Sequence, residues 1–135
     1  MFYNFIYILK NFFTTNIFII VFIGGGFGSL ARFIISKIIE NHAKNFYPIA
    51  TFIANILSCF ILGMLVYFFS NKINIPQNVK IFIITGFCGG FSTFSTFSYE
   101  TFELIKMQHY GIAIANVLIS LIFGISIFFI LQKIS

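Results

Sequence analysis

The stretch from Thr85 to Ser98, TGFCGGFSTFSTFS, sits in the middle of an apolar run long enough to cross a bilayer. Of its fourteen residues three are Gly, six are Ser or Thr, four are Phe and one is Cys. A mid-helix Gly costs about 1 kcal/mol relative to Ala, and hydroxyl side chains compete for the backbone's hydrogen bonds. The composition therefore predicts a helix that breaks near residues 88–93. At membrane depth such a break is tolerated only where it is buried in protein or lines a water-filled cavity or ion site. Carbonyls freed there are hard oxygen ligands, suited to a central alkali cation as in the unwound helices of transporters.

The surrounding chain supports a membrane setting. Its 135 residues are 59 % hydrophobic and 8 % charged, with mean hydropathy +1.02, whereas a soluble domain carries about 25 % charged residues. The length suits one domain, 1–135, built almost wholly of membrane spans. Four apolar segments run over about 17–39, 48–69, 79–105 and 111–132. Polar loops separate them: Glu40 to Asn45, Ser70 to Asn78, and Lys106 to Gly111. Residues 1–14 form an apolar leader interrupted by Lys10, read as an interfacial lead-in or an extension of the first helix. It has neither the basic start nor the small-residue cleavage site of a signal peptide.

A net charge of +5 invites a nucleic-acid reading, but the eight Lys and Arg are scattered and make no basic patch to track a phosphate backbone. Cys59 and Cys88 lie inside spans without a CxxC pair, so neither a disulfide framework nor a zinc site is indicated. His42 and His109 fall in loops. No nucleophile–base constellation can be assembled from these groups, and an enzyme is not expected.

Four spans place both termini on one side, with Lys10, Lys72, Lys80 and Lys133. The other side holds Lys37, Lys44 and Lys106, with Arg32 nearby in the first helix. Orientation follows the Lys/Arg excess on cytoplasmic loops, and here the two sides nearly tie. Such a chain is free to insert both ways, which makes an antiparallel homodimer possible.

Charged and strongly polar residues within spans are candidate functional groups by default. In GGGFGSLAR, Gly24, Gly28, Arg32 and Ser36 form an i, i+4 stripe whose small residues allow close helix approach. Arg32 either snorkels to the interface or stands as a fixed cation lining a vestibule. On the second helix Thr51, Asn55 and Ser58 share a face, as interhelical glue or with Asn55 as a donor facing a pore. Asn116, Ser120 and Gly124 repeat the pattern on the fourth. After the break, Phe94 and Phe97 present their rings on one side, either as packing or as positive ring edges that hold an anion without trapping it. Glu100, near the span's end, reads as a packing or interfacial residue.

Three stretches together, GGGFGSLARF at 24–33, TFIANILSCFILG at 51–63 and GFCGGFSTFSTFSYE at 86–100, resemble the Fluc (CrcB) fluoride-channel family. The similarity runs from about residue 17 to 133. It implies an all-α integral membrane protein of the cell inner membrane, four helices per subunit, assembled as an antiparallel, dual-topology homodimer with two fluoride pathways. By this resemblance Phe94 and Phe97 are the pore phenylalanines and Asn55 the pore amide. Thr51, Asn116 and Ser120 belong to a polar track, and Arg32 is the family's first-helix arginine. A structural Na⁺ at the dimer centre is held by backbone carbonyls of Gly89 and Ser92, where Ser92 stands in place of the more usual Thr. The implied activity is passive, selective export of cytoplasmic fluoride, relieving fluoride toxicity.

Two alternatives stand beside it. A small dual-topology multidrug exporter would carry a membrane-embedded Glu in its first helix, where this chain has Arg32. A non-transporting subunit of a larger membrane complex accounts for small residues and aromatic stripes, but not for a Gly/Ser/Thr break in mid-membrane.

Overall fold

Three long helices and one composite span account for the computed structural model, which describes residues 15–42, 47–70 and 75–134. Helix α1 covers Thr15–His42 and α2 covers Tyr47–Ser70. The third span begins as α3, residues 77–91, and resumes as α4, Phe94–Lys106. Helix α5 covers Tyr110–Ile134. No strand occurs among the described residues. Segments Ile17–Asn41, Pro48–Phe68, Gln77–Lys106 and Tyr110–Lys133 are each long and apolar enough to cross a membrane, since about 20 helical residues span a 30 Å hydrocarbon core. The leader, 1–14, lies outside the described residues.

Helicity here follows from the solvent. Lipid offers no partner for a backbone N–H or C=O, so each span must close its own hydrogen bonds. The outer surface is correspondingly apolar, with Phe22 81 % exposed and Phe129 and Ile130 also open; α5 is apolar along most of its length. The helices run past the apolar limits read from the sequence. Glu40, Asn41 and His42 continue α1, where Lys37 pairs with Glu40 at 2.8 Å one turn away.

Glycine brings α1 against α3. A methyl on Gly24 would fall 2.7 Å from the Phe82 carbonyl oxygen and 3.0 Å from Gly86 Cα. One on Gly28 would overlap the Phe87 carbonyl, and one on Gly90 would overlap the Gly25 carbonyl. Two backbones thus touch along Gly24, Gly28, Gly86 and Gly90, the close approach that small residues permit in membranes.

The third span is irregular at two levels. Phe82–Cys88 is π-helical, a local widening that the sequence did not announce and that recurs at functional sites. Beyond Phe91 the backbone extends: Ser92 has φ −79°, ψ 153°, and Thr93 φ −151°, ψ 115°. Thr93 then caps α4, its hydroxyl accepting from the Thr96 N–H at 3.4 Å. At the far end Gln108 takes φ 63°; its N–H donates to the Ile105 carbonyl and that of His109 to the Leu104 carbonyl. This pair of bonds is a Schellman ending, and it turns the chain into α5.

Candidate functional site

The extended pair Ser92–Thr93 opens onto a cavity of about 420 Å³ bounded by α2, α3, α4 and α5. Asn55, Ser58 and Cys59 contribute from α2, Cys88 and Gly89 from α3, Phe94 and Phe97 from α4, and Ser120 from α5. Leu62, Ile84 and Leu121 complete an otherwise apolar lining.

Asn55 is oriented by the break. Its side-chain oxygen accepts the Thr93 N–H at 3.0 Å, a donor that an unbroken helix would have spent on the Gly89 carbonyl. With the oxygen turned to Thr93, the amide's two N–H donors remain, beside the oxygen's second lone pair. The cavity edge also carries the two phenylalanine rings, with centroids 6.3 Å apart and an interplanar angle of 35°. Phe94 is 82 % exposed, an aromatic presented rather than packed. Ser120 Oγ is buried without a hydrogen-bond partner among the described residues.

The end of α3 is tied to α2 at Cys88. Its carbonyl accepts from the Ser92 N–H at 3.0 Å, the Ser92 hydroxyl at 2.9 Å and the Ser58 hydroxyl at 3.2 Å. The Cys88 thiol in turn lies 3.9 Å from the Ser58 carbonyl oxygen. The donors to the Cys88 carbonyl, from Ser58 on one side and Ser92 on the other, hold the break in place.

Residues named from the sequence divide into two groups. Asn55, Phe94, Phe97, Ser120, Gly89 and Ser92 meet at this cavity. Thr51, Asn116, Glu100 and Arg32 are not among the residues that line it. Thr51 donates to Glu100 Oε1 at 2.7 Å, while Glu100 Oε2 is buried without a partner among the described residues. Glu100 borders a separate cavity of about 140 Å³ with Tyr99, Glu103, Leu104 and Met107. Asn116 donates to the Thr101 hydroxyl at 3.2 Å, and Thr101 donates to the Phe97 carbonyl at 2.8 Å. Arg32 is half-buried on α1, its Nε without a partner among the described residues.

Three participants escaped the sequence reading. Cys59 follows Asn55 by one helical turn and so shares its face, a signal that was present in the spacing. Cys88 immediately precedes the first glycine of the Gly89–Gly90 pair. Thr101 follows Phe97 by four residues, the spacing at which a helical threonine bonds back to a carbonyl.

Comparison with known proteins gives a consistent answer. The family described as CrcB-like protein, Camphor Resistance (CrcB), matches residues 19–131. The chain is 45 % identical over 105 residues to a fluoride-specific ion channel FluC of Azobacteroides pseudotrichonymphae genomovar. CFP2, covering 78 % of this chain and 84 % of the relative. It is 42 % identical over 112 residues to one of Pyrococcus abyssi, covering 83 % and 89 % of the two chains. Against one of Escherichia fergusonii the identity is 46 % over 102 residues, covering 76 % and 80 %.

Proposed function

The chain belongs to the CrcB family, and on that premise we propose that it is a fluoride-selective channel that lets cytoplasmic fluoride leave the cell passively. The observation that carries this reading is the Asn55–Thr93 bond, which leaves the amide's donors for the same cavity that Phe94 and Phe97 border. Fluoride is small and tightly hydrated, so a selective passage must replace water with donors. Asn55 and the Ser120 hydroxyl supply these, and the phenylalanine edges add weakly positive contacts. Conduction requires binding weak enough for the ion to leave, and neutral donors with ring edges suit that better than a fixed cation in contact with the ion. External acid would form HF, which crosses lipid and dissociates inside; the trapped anion then flows out through the channel. The relatives' names favour neither the exporter nor the non-transporting subunit.

The working unit in this reading is an antiparallel, dual-topology homodimer in the cell inner membrane, with two fluoride pathways. The near-tie of basic residues on the two sides supports it, as does an aromatic as exposed as Phe94. A Na⁺ at the dimer centre is compatible with the break. The Thr93 N–H, four residues after Gly89, donates to Asn55, and the Thr96 N–H, four after Ser92, donates to Thr93 Oγ1. The carbonyls of Gly89 and Ser92 are thereby released from their α-helical donors and are hard oxygen ligands of the kind Na⁺ takes. Bound there, Na⁺ would supply a fixed positive charge at mid-membrane and bridge the two broken helices. Thr51 and Glu100 extend the polar path toward the span's end, and Arg32 serves a vestibule.

Asn116 acts at one remove, through Thr101 on the Phe97 carbonyl. Replacing Asn116 with Leu removes one hydrogen bond of about 1 kcal/mol, and is expected to slow fluoride efflux several-fold without dissociating the protein. An unchanged rate would separate Asn116 from Phe97.

The direct test is halide efflux from proteoliposomes loaded with fluoride or chloride, with valinomycin and K⁺ balancing charge. Fast fluoride release with little chloride release is expected, and Phe97→Ile should abolish it. A well-folded preparation that releases no fluoride would overturn the channel reading.

A further inference from the structure

The chain contains two cysteines, both free, and both line the cavity beside Asn55, Phe94 and Phe97. The conduction scheme above uses neither. Cys88 reaches toward α2, its sulfur 3.9 Å from the carbonyl oxygen of Ser58, the residue adjacent to Cys59. Cys59 lies one turn beyond Asn55 on the same helical face. Its sulfur faces Gly124 of α5, 3.5 Å from where a methyl on that glycine would sit, an ordinary contact distance. The other polar groups on the lining are amide, hydroxyl and carbonyl oxygens or amide nitrogens, all hard donors. Sulfur is soft and selects soft cations. The cavity therefore offers such a cation a pair of ligands on facing helices and hard groups that do not compete for it.

We propose that Cys59 and Cys88 together form a binding site for a soft, two-coordinate metal cation, and that its occupancy closes the passage. Mercuric chloride is the probe. Each sulfur–mercury bond forms as a thiol gives its proton to water and mercury gives up one chloride, with no change in oxidation state. The metal then bridges α2 and α3 one turn from the donors of Asn55. Metal binding stands on the two thiols alone; the loss of flux rests on the proposed function.

In fluoride-loaded proteoliposomes, mercuric chloride is expected to stop efflux from the wild-type protein, and an added dithiol should restore it. The Cys59→Ser/Cys88→Ser double variant should conduct and ignore mercury. Each single variant should need about a hundredfold more mercury, because the second, intramolecular ligand is gone. Intact-mass measurement on the detergent-purified protein gives a readout independent of flux: one mercury per wild-type chain and none on the double variant. Should Cys88→Ser fail to fold, the wild-type mercury stoichiometry and the Cys59→Ser variant still decide the matter. Two mercury ions per chain, or equal block of the double variant, would each overturn the site; one mercury per chain with efflux unchanged would overturn the closure. A wild-type protein that binds one mercury but conducts no fluoride would instead overturn the channel reading and leave the metal site standing.

Discussion

Replacing Asn55 with Asp should abolish fluoride efflux while leaving the protein folded. The substitution separates two tasks that one side chain performs. Asp retains an oxygen at the position that accepts the Thr93 N–H at 3.0 Å, so the tie between α2 and the break survives and is strengthened by charge. What disappears is the pair of N–H donors, the only groups on this side chain able to replace water around an anion. A hydrogen bond to a charged partner contributes about 1.5–3 kcal/mol, which is roughly a tenfold to hundredfold change in occupancy per donor lost. The new carboxylate adds repulsion in a half-buried site, where charges are screened less than at the surface. Both effects act in the same direction. Efflux from proteoliposomes and elution on gel filtration test the claim together. Asn55→Asp that elutes as the wild type and still conducts at the wild-type rate would remove Asn55 from the ion path.

The contrast with Asn55→Ala sharpens the point. Alanine removes donor and acceptor alike, leaving the Thr93 N–H to find a new partner. An unsatisfied buried donor costs about 1–3 kcal/mol, so Asn55→Ala is expected to lose stability as well as conduction. If the two variants fell equally in stability, the bond to Thr93 would have no part in holding the break.

Much of the architecture was legible because the bilayer imposes it. Long apolar runs interrupted by charge and by Pro48 and Pro76 admit one regular solution. Helix ends were less legible, since polar residues such as Glu40 and Asn41 can continue a helix once it has emerged from lipid. The π-helical stretch Phe82–Cys88 was not legible at all, because nothing local requires it; it lies where Gly24 and Gly28 of a distant helix meet the backbone. The candidate site shows the same division. Spacing placed Asn55 on a polar face and Phe94 beside Phe97. It did not distinguish Ser120, which reaches the cavity, from Asn116, one turn earlier, which turns to Thr101. That choice depends on how α5 is rotated against α4. Nor does spacing bring Cys59 and Cys88 together, because residues 29 positions apart in sequence come to line one cavity only when α2 packs on α3.

The second large effect lies at the glycine seam. Gly28→Ala is expected to prevent α1 from docking, because the added methyl would overlap the Phe87 carbonyl and come 2.8 Å from the Phe91 nitrogen. Both obstacles are backbone, which cannot swing aside as a side chain can. Overpacking a close-fitted contact costs about 1–3 kcal/mol, occasionally more. Here the strain falls on α3 immediately before Ser92–Thr93, the pair whose geometry orients Asn55. Gly90→Ala meets Gly25 from the opposite side and should behave alike. Gly26→Ala is the control: a methyl there meets nothing within 4 Å, and Ala is the better helix former by about 1 kcal/mol. Gly26→Ala should therefore match or exceed the wild type in thermal midpoint, while Gly28→Ala should yield little monodisperse protein and no fluoride efflux. The comparison holds length, hydropathy and helix propensity constant and changes only which side of α1 carries the methyl. A Gly28→Ala protein as stable and as active as Gly26→Ala would mean that the two backbones do not touch in the bilayer. α1 would then have no part in holding the break or in setting the position of the cavity beside it.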